Sequence, residues 1–206
     1  MKPWLEIPLS DYEEHMASAE VGQLQVLSDL FAEAIHRKPP ASVALLGIAG
    51  GNGLDRIDPE KTSRIVGIDI NPLYLDAVRS RYPHLPGLEL HCIDLGEDTL
   101  DLEPVDLVHA ALIFEHAGLG RCLDNALSLL ADEGMCSVVL QLPCDSRQNV
   151  GLSGIASIQR LAADFSLIDP SQLRASLEEH GFRLVHETRA SLPEGKALWM
   201  GNFARV

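Results

Sequence analysis

Basic residues are scarce in this chain of 206 residues: 16 Lys and Arg stand against 30 Asp and Glu, a formal net charge of −14 at pH 7. That balance repels polyanions at long range, which argues against nucleic acid or an anionic membrane as a partner. Long apolar runs are missing too, and none approaches the roughly 18 residues that would span a bilayer. There is no Cys-x-x-Cys pair; Cys92, Cys122, Cys136 and Cys144 lie dispersed, so neither structural zinc nor a disulfide framework is expected. The apolar flanks of Cys92 and Cys136 suit small core residues. The start of the chain lacks a basic segment followed by an apolar signal core, and the expectation is a soluble cytoplasmic protein. No internal repeat or low-complexity tract interrupts a length that fits one domain.

What is present is alternation. The runs 43–47, 65–69, 88–92, 105–109 and 135–140 are short and mostly apolar, as suits strands of a parallel sheet covered on both faces. Between them, Asn71-Pro72 and Asp169-Pro170 each place an N-cap before a proline suited to the first helical turn. Leu123, Ala126, Leu127 and Leu130 mark a helix expected to end near Gly134. Two strand-like runs, 182–190 and 196–205, flank a turn at Pro193-Glu194-Gly195 and predict a terminal hairpin, so one strand must run antiparallel. Ahead of the sheet, Val21, Leu24, Leu27, Leu30, Phe31 and Ile35 recur at helical spacing until Pro39-Pro40. Residues 145–154 read as a loop.

In an open α/β sheet ligands bind beyond the carboxyl ends of the strands. After the first strand comes Gly47-Ile48-Ala49-Gly50-Gly51-Asn52-Gly53, whose glycines let backbone approach a ligand closely or simply build a tight turn. It is not a dinucleotide fingerprint, because Gly51 and Gly53 are followed by Arg56 where the third glycine would stand. The second strand ends on Asp69, where a carboxylate can accept both hydroxyls of a ribose or serve as a helix-cap neighbour.

With these features the chain resembles the class I S-adenosylmethionine-dependent methyltransferases over about residues 43–206. The resemblance rests on the glycine loop, Asp69, the Cys92-Ile93-Asp94-Leu95 turn after the third strand, and the terminal hairpin, in that order. It implies a Rossmann-like α/β fold: a seven-stranded, mostly parallel sheet with an antiparallel last strand and helices on both faces. It divides the chain into an N-terminal helical lid segment, 1–40, and a class I methyltransferase domain, 41–206. The implied cofactor is S-adenosyl-L-methionine, leaving as S-adenosyl-L-homocysteine. It would be held by Ala49, Gly51, Asn52 and Gly53, by Asp69, Ile70 and Asn71, by Asp94 and Leu95, and by Ala110 and Ala111. One departure stands out: relatives carry an acid at the position of Gly47, and Ala49 replaces the first glycine.

Candidate acid, base or substrate groups are His109, Glu115 and His116, which flank the aliphatic run after the fourth strand, and Tyr12 and His15 in the N-terminal segment. A satisfied strand histidine, a solvated helix start and a plain helix cap are the competing readings. No metal is expected, because neither His-Glu-x-x-His nor His-x-x-Glu-His occurs. Substrate walls are expected from the stretch after the fifth strand, Gln141 to Phe165, where Arg147, Gln148, Arg160 and Phe165 could orient an acceptor. The implied acceptor is a small molecule. Two alternatives remain at this point: a non-catalytic module that binds S-adenosylmethionine or S-adenosylhomocysteine, and an NAD-dependent reductase.

Overall fold

The structure, a computed structural model, describes residues 2–144, 153–163 and 165–206. Arg147 and Gln148, and most of the loop expected at 145–154, lie outside the described residues.

Seven strands, β1 (Ser42–Leu46), β2 (Arg64–Asp69), β3 (Leu88–Cys92), β4 (Val105–Ala111), β5 (Leu130–Gln141), β6 (Phe182–Ser191) and β7 (Ala197–Arg205), form one sheet in the order β3-β2-β1-β4-β5-β7-β6. β1 to β5 pair in parallel, and β7 runs antiparallel to both β5 and β6. The chain therefore winds outward from β1 to β3 and restarts at β4. That reversal opens a crevice above the carboxyl ends of β1 and β4.

Helices α1 (Leu9–Ala17), α2 (Gln23–Arg37), α3 (Pro72–Arg81), α4 (Phe114–Ala117), α5 (Gly120–Ser128), α6 (Ala156–Gln159) and α7 (Pro170–Glu179) cover the sheet and its upper edge. On one face α5 and α7 press Leu123, Ala126, Leu173 and Leu177 onto Val66, Val108 and Val138. On the other, α2 and α3 bury Leu27, Leu30, Phe31, Leu75 and Val78 against Val43, Leu45, Leu107 and Val139. Each such Leu or Phe contributes roughly 1.5–3 kcal/mol by leaving water. Since α2 shares this core, the part of the N-terminal segment that covers the crevice is the part before it.

The two proline-led helices start as their sequences require. Asn71 accepts from the Leu73 amide at 3.0 Å, and Asp169 from the Ser171 amide at 2.7 Å. α5, by contrast, stops at Ser128, six residues before Gly134. Leu130 already pairs with Val105 in the sheet, so β5 begins where the helical stripe was expected to continue. Gly134 lies inside that strand, where a Cβ would come within 2.9 Å of the Ala131 carbonyl oxygen. Cys136 is buried as expected, but Cys92 is exposed, because it ends β3, the edge strand.

Candidate active site

A cavity of about 500 Å³ lies over the carboxyl ends of the central strands. Its floor begins with the loop after β1. Gly47 has φ +70° and Ala49 φ +47°, both left-handed, and the amides of Gly47 and Ile48 donate to Ile68 O at 2.8 and 3.0 Å. A Cβ on Gly47 would stand 3.0 Å from Ile113 Cδ1. Position 47 thus has neither the backbone conformation nor the room for an acidic side chain beside Ile113.

Asp69 organises the next part of the floor. It is buried, with Oδ2 accepting from the Ala49 amide and Oδ1 from the Asn71 amide, each at 2.9 Å. Burial raises its pKa, and the amides of Asn71, Ala49 and Ile70 oppose that rise. Each carboxylate oxygen has a second lone pair, so the group can fasten the glycine loop to the start of α3 and still accept ribose hydroxyls. Beyond it, Asp94 follows β3. Its Oδ1 accepts from the Gly96 amide at 2.9 Å and its Oδ2 pairs with Lys2. Asn125 of α5 holds this turn in place, donating to Leu95 O at 2.9 Å and to Asp98 O at 2.8 Å. Ile70, Ile93 and Leu95 supply apolar walls suited to a purine.

The N-terminal strap forms the roof. Asn71 Nδ2 donates to Trp4 O and the Tyr74 hydroxyl donates to Ile7 O, both at 2.9 Å, while Arg81 pairs with Glu13. Trp4 stands edge-on to Tyr12, with centroids 5.7 Å apart, and to His116 at 4.8 Å; His116 in turn meets Phe165 at 5.1 Å. Burial and the nearby Asp69 carboxylate push the Tyr12 hydroxyl well above its ordinary pKa, so it stays protonated. His15 Nδ1 lies 2.7 Å from Ser153 Oγ, and burial, helped by Lys196, lowers its pKa, which keeps the ring neutral at pH 7.

The far wall is assembled by Glu115, which is buried and accepts from the Gln141 amide at 2.8 Å, while its carbonyl accepts from the Ser166 amide at 2.9 Å. These bonds hold α4, the end of β5 and the chain beside Phe165 together. Burial raises the Glu115 carboxyl to about 7, and its Oε2 has no partner among the described residues. Gly22, at φ +59°, turns the chain into α2 so that Gln23 Nε2 donates to Gln141 Oε1 at 3.2 Å.

Of the expected site residues, the cavity brings together Ala49, Asp69, Ile70, Asp94, Leu95, Ala111, Tyr12, His15 and His116. Gly51, Asn52, Gly53, Asn71 and Ala110 are not part of its lining. Asn71 is spent as a helix cap, and Asn52 Nδ2 donates to Leu24 O at 2.8 Å. Arg160 pairs with Glu6 outside the lining, whereas Phe165 is in it. His109 is not at the cavity either. It points under α2, with its ring 4.9 Å from Phe31 and Nδ1 3.1 Å from Ser137 Oγ, and burial lowers its pKa to about 4. Gln141, Ile158, Leu161 and Phe165, all from the stretch expected to wall the substrate, line the cavity. Trp4 and Gln23 were not anticipated, because their places depend on contacts between distant segments.

Residues 46–136 match the model of the family described as a methyltransferase domain. No curated protein matches the chain. Among solved structures, the N-methyltransferase NodS from Bradyrhizobium japonicum, bound to S-adenosylhomocysteine, superposes with a TM-score of 0.68 at 13% identity, covering 89% of this chain and 87% of that one. The cyclase SpnF gives 0.67 at 15% identity, covering 87% and 80%. The 1,6-didemethyltoxoflavin-N1-methyltransferase of Burkholderia thailandensis, holding that compound and S-adenosylhomocysteine, gives 0.64 at 16% identity, covering 87% and 76%.

Proposed function

From the methyltransferase domain that residues 46–136 carry, we propose that this protein transfers a methyl group from S-adenosylmethionine to a small-molecule acceptor. The single observation that carries the reading is the buried Asp69 carboxylate at the end of β2, tied to the glycine loop and facing a cavity that continues to Asp94 and an apolar slot. The cofactor fits these residues: Asp69 would hold its ribose, Ile70, Ile93 and Leu95 its adenine, and the loop from Gly47 to Ala49 its amino-acid portion. Two structural neighbours, both methyltransferases holding S-adenosylhomocysteine, and the small compound bound in one of them agree with that assignment.

When bound, the cofactor supplies an electrophilic sulfonium methyl. The chain's own task is to hold an acceptor lone pair in line with it and to exclude water, since alignment alone can supply several kcal/mol, about 7–11 at best. The acceptor atom gains the carbon while the sulfur keeps the electron pair of the broken bond. If the acceptor carries a proton, His15, neutral and in the cavity wall, is placed to take it, and Tyr12 and His116 complete the surroundings of the reacting atoms. The covering strap, residues 2–17 within the N-terminal segment 1–40, closes over bound ligands. His109 serves the sheet and not the chemistry.

Among the described residues no helix is long and apolar enough to cross a membrane. With the excess of acidic groups, this favours a cytoplasmic enzyme whose acceptor is neither nucleic acid nor lipid bilayer. The room that Ile113 takes beside Gly47 accounts for the missing acid without loss of the site, so a purely sensory role loses its motivation.

Calorimetric titration with S-adenosylmethionine, S-adenosylhomocysteine and NADH tests the reading. Micromolar binding of the first two and none of NADH is expected; binding of NADH alone would overturn it. Turnover of any acceptor separates a methyltransferase from a binding module or from a cyclase on the same fold.

A further inference from the structure

The chain has only two Trp, three Tyr and five Phe, yet Trp4, Tyr12, Tyr74 and Phe165 all line this one cavity. Its charges are distributed just as unevenly. Lys2, Asp69, Asp94 and Glu97 are the formally charged lining residues among those described, and all four belong to the nucleoside half or to the strap above it. The half over β4 and β5 is bounded by Met16, Ile158 and Leu161, by the ring edges of His116 and Phe165, and by three neutral polar groups, His15, Gln23 and Gln141.

Two buried ionisable groups stand near that half without entering it. Lys196 is close enough to lower the His15 pKa but is not in the lining, and the Glu115 carboxyl is directed to the Gln141 amide. A carboxylate, phosphate or ammonium on an acceptor would therefore be desolvated against aliphatic carbon and neutral amides, an expensive arrangement. A flat ring would meet aromatic edges and faces instead. The glutamine pair adds a directional element, since Gln23 Nε2 donates to Gln141 Oε1 and both residues line the cavity.

Resting on the methyl-transfer reading, we propose that the acceptor is a planar, uncharged aromatic or heteroaromatic compound, with its ring between the Trp4–His116–Phe165 edges and the aliphatic wall and a hydrogen-bonding edge directed to the Gln23–Gln141 pair. The methyl-accepting atom is then a ring nitrogen, or a hydroxyl or carbon on the ring, with any displaced proton passing to His15 or water.

The test is saturation-transfer NMR and calorimetry on the full chain, free and loaded with S-adenosylhomocysteine, using three probes: 4-quinolinol, 2-naphthoate and phosphocholine. 4-Quinolinol is expected to bind saturably, at least about tenfold more tightly than 2-naphthoate, with no detectable binding of phosphocholine. Gln23→Leu and Phe165→Ala should each weaken 4-quinolinol by about fivefold or more, with S-adenosylhomocysteine titrated into the same samples to report whether the fold and the nucleoside half survive. Binding of 2-naphthoate or phosphocholine as tightly as 4-quinolinol would overturn the proposal, as would failure of 4-quinolinol to bind a protein that binds S-adenosylhomocysteine. Failure of S-adenosylhomocysteine itself would instead overturn the methyl-transfer reading, and 4-quinolinol binding to the free chain would still be measured.

Discussion

The two halves of the cavity are built by different means. Over β2 and β3, each functional group sits at a strand end and is held by neighbours close in sequence: Asp69 by the amides of Ala49 and Asn71, Asp94 by that of Gly96. Over β4 and β5, the wall is a meeting of remote segments: Gln23 reaches Gln141 across 118 positions and His15 reaches Ser153 across 138. Among the described residues, the lining of the first half is charged and that of the second is neutral. A cofactor shared by many chemistries can be held by a short local pattern, whereas an acceptor pocket peculiar to one protein is assembled from whatever the fold brings together.

Four substitutions would break or sharpen that contrast. Asp69→Ala removes the acceptor of two buried amides and should cost roughly 2–6 kcal/mol of stability as well as most affinity for S-adenosylhomocysteine, read by denaturation and calorimetry. Survival of tight cofactor binding would dissolve the distinction between the halves.

Glu115→Gln acts on the other half through pH. The folded carboxyl has a pKa of about 7 against an ordinary 4.5, so its contribution to stability is fully present below the unfolded value and is lost as pH rises through the folded one. Urea denaturation at pH 5 and pH 8 should show a loss of up to about 3 kcal/mol in the wild type that is absent from the variant. An equal loss in both would exclude Glu115 as its source.

Gly47→Asp places an acid at the head of the glycine loop but meets a left-handed backbone and Ile113; it should destabilise by about 1–3 kcal/mol, part of which is recovered in an Ile113→Ala background. Full additivity of the two changes would show that Ile113 is not the obstacle. The smallest effect is expected from Ala49→Gly, which relieves a left-handed alanine and should change stability favourably by about 1 kcal/mol, visible as a modest rise in melting temperature.

The contrast also explains what could be read from the residues alone. Strand runs, the proline-led helices and the terminal hairpin are encoded over a few positions, and they appeared close to where their patterns put them. Asp69 and Asp94 were legible for the same reason, as acids at the ends of apolar runs. Asn71 and Asn52 were assigned to the cofactor because a polar residue in a loop looks the same whether it faces a ligand or a neighbouring backbone group. His109 misled because alternation along a strand does not say which face the crevice opens on. Gly134 misled because a glycine ending a helix and one inside an irregular strand share the same flanks. Trp4 and Gln23 acquire their roles only when α1, α2, β5 and the chain near Phe165 are packed together.

The position of β7 bears on how the molecule comes to exist. It lies between β5 and β6, although β5 ends at Gln141 and β7 starts only at Ala197. As the chain emerges during synthesis, β5 must present one open edge while every residue between the two is made, and β6 has no partner in the sheet until β7 arrives. The sheet's last closure is thus a long-range one, comparable in sequence separation to the β1–β4 pairing, a step that is intrinsically slow and during which an unpaired edge is available to other chains.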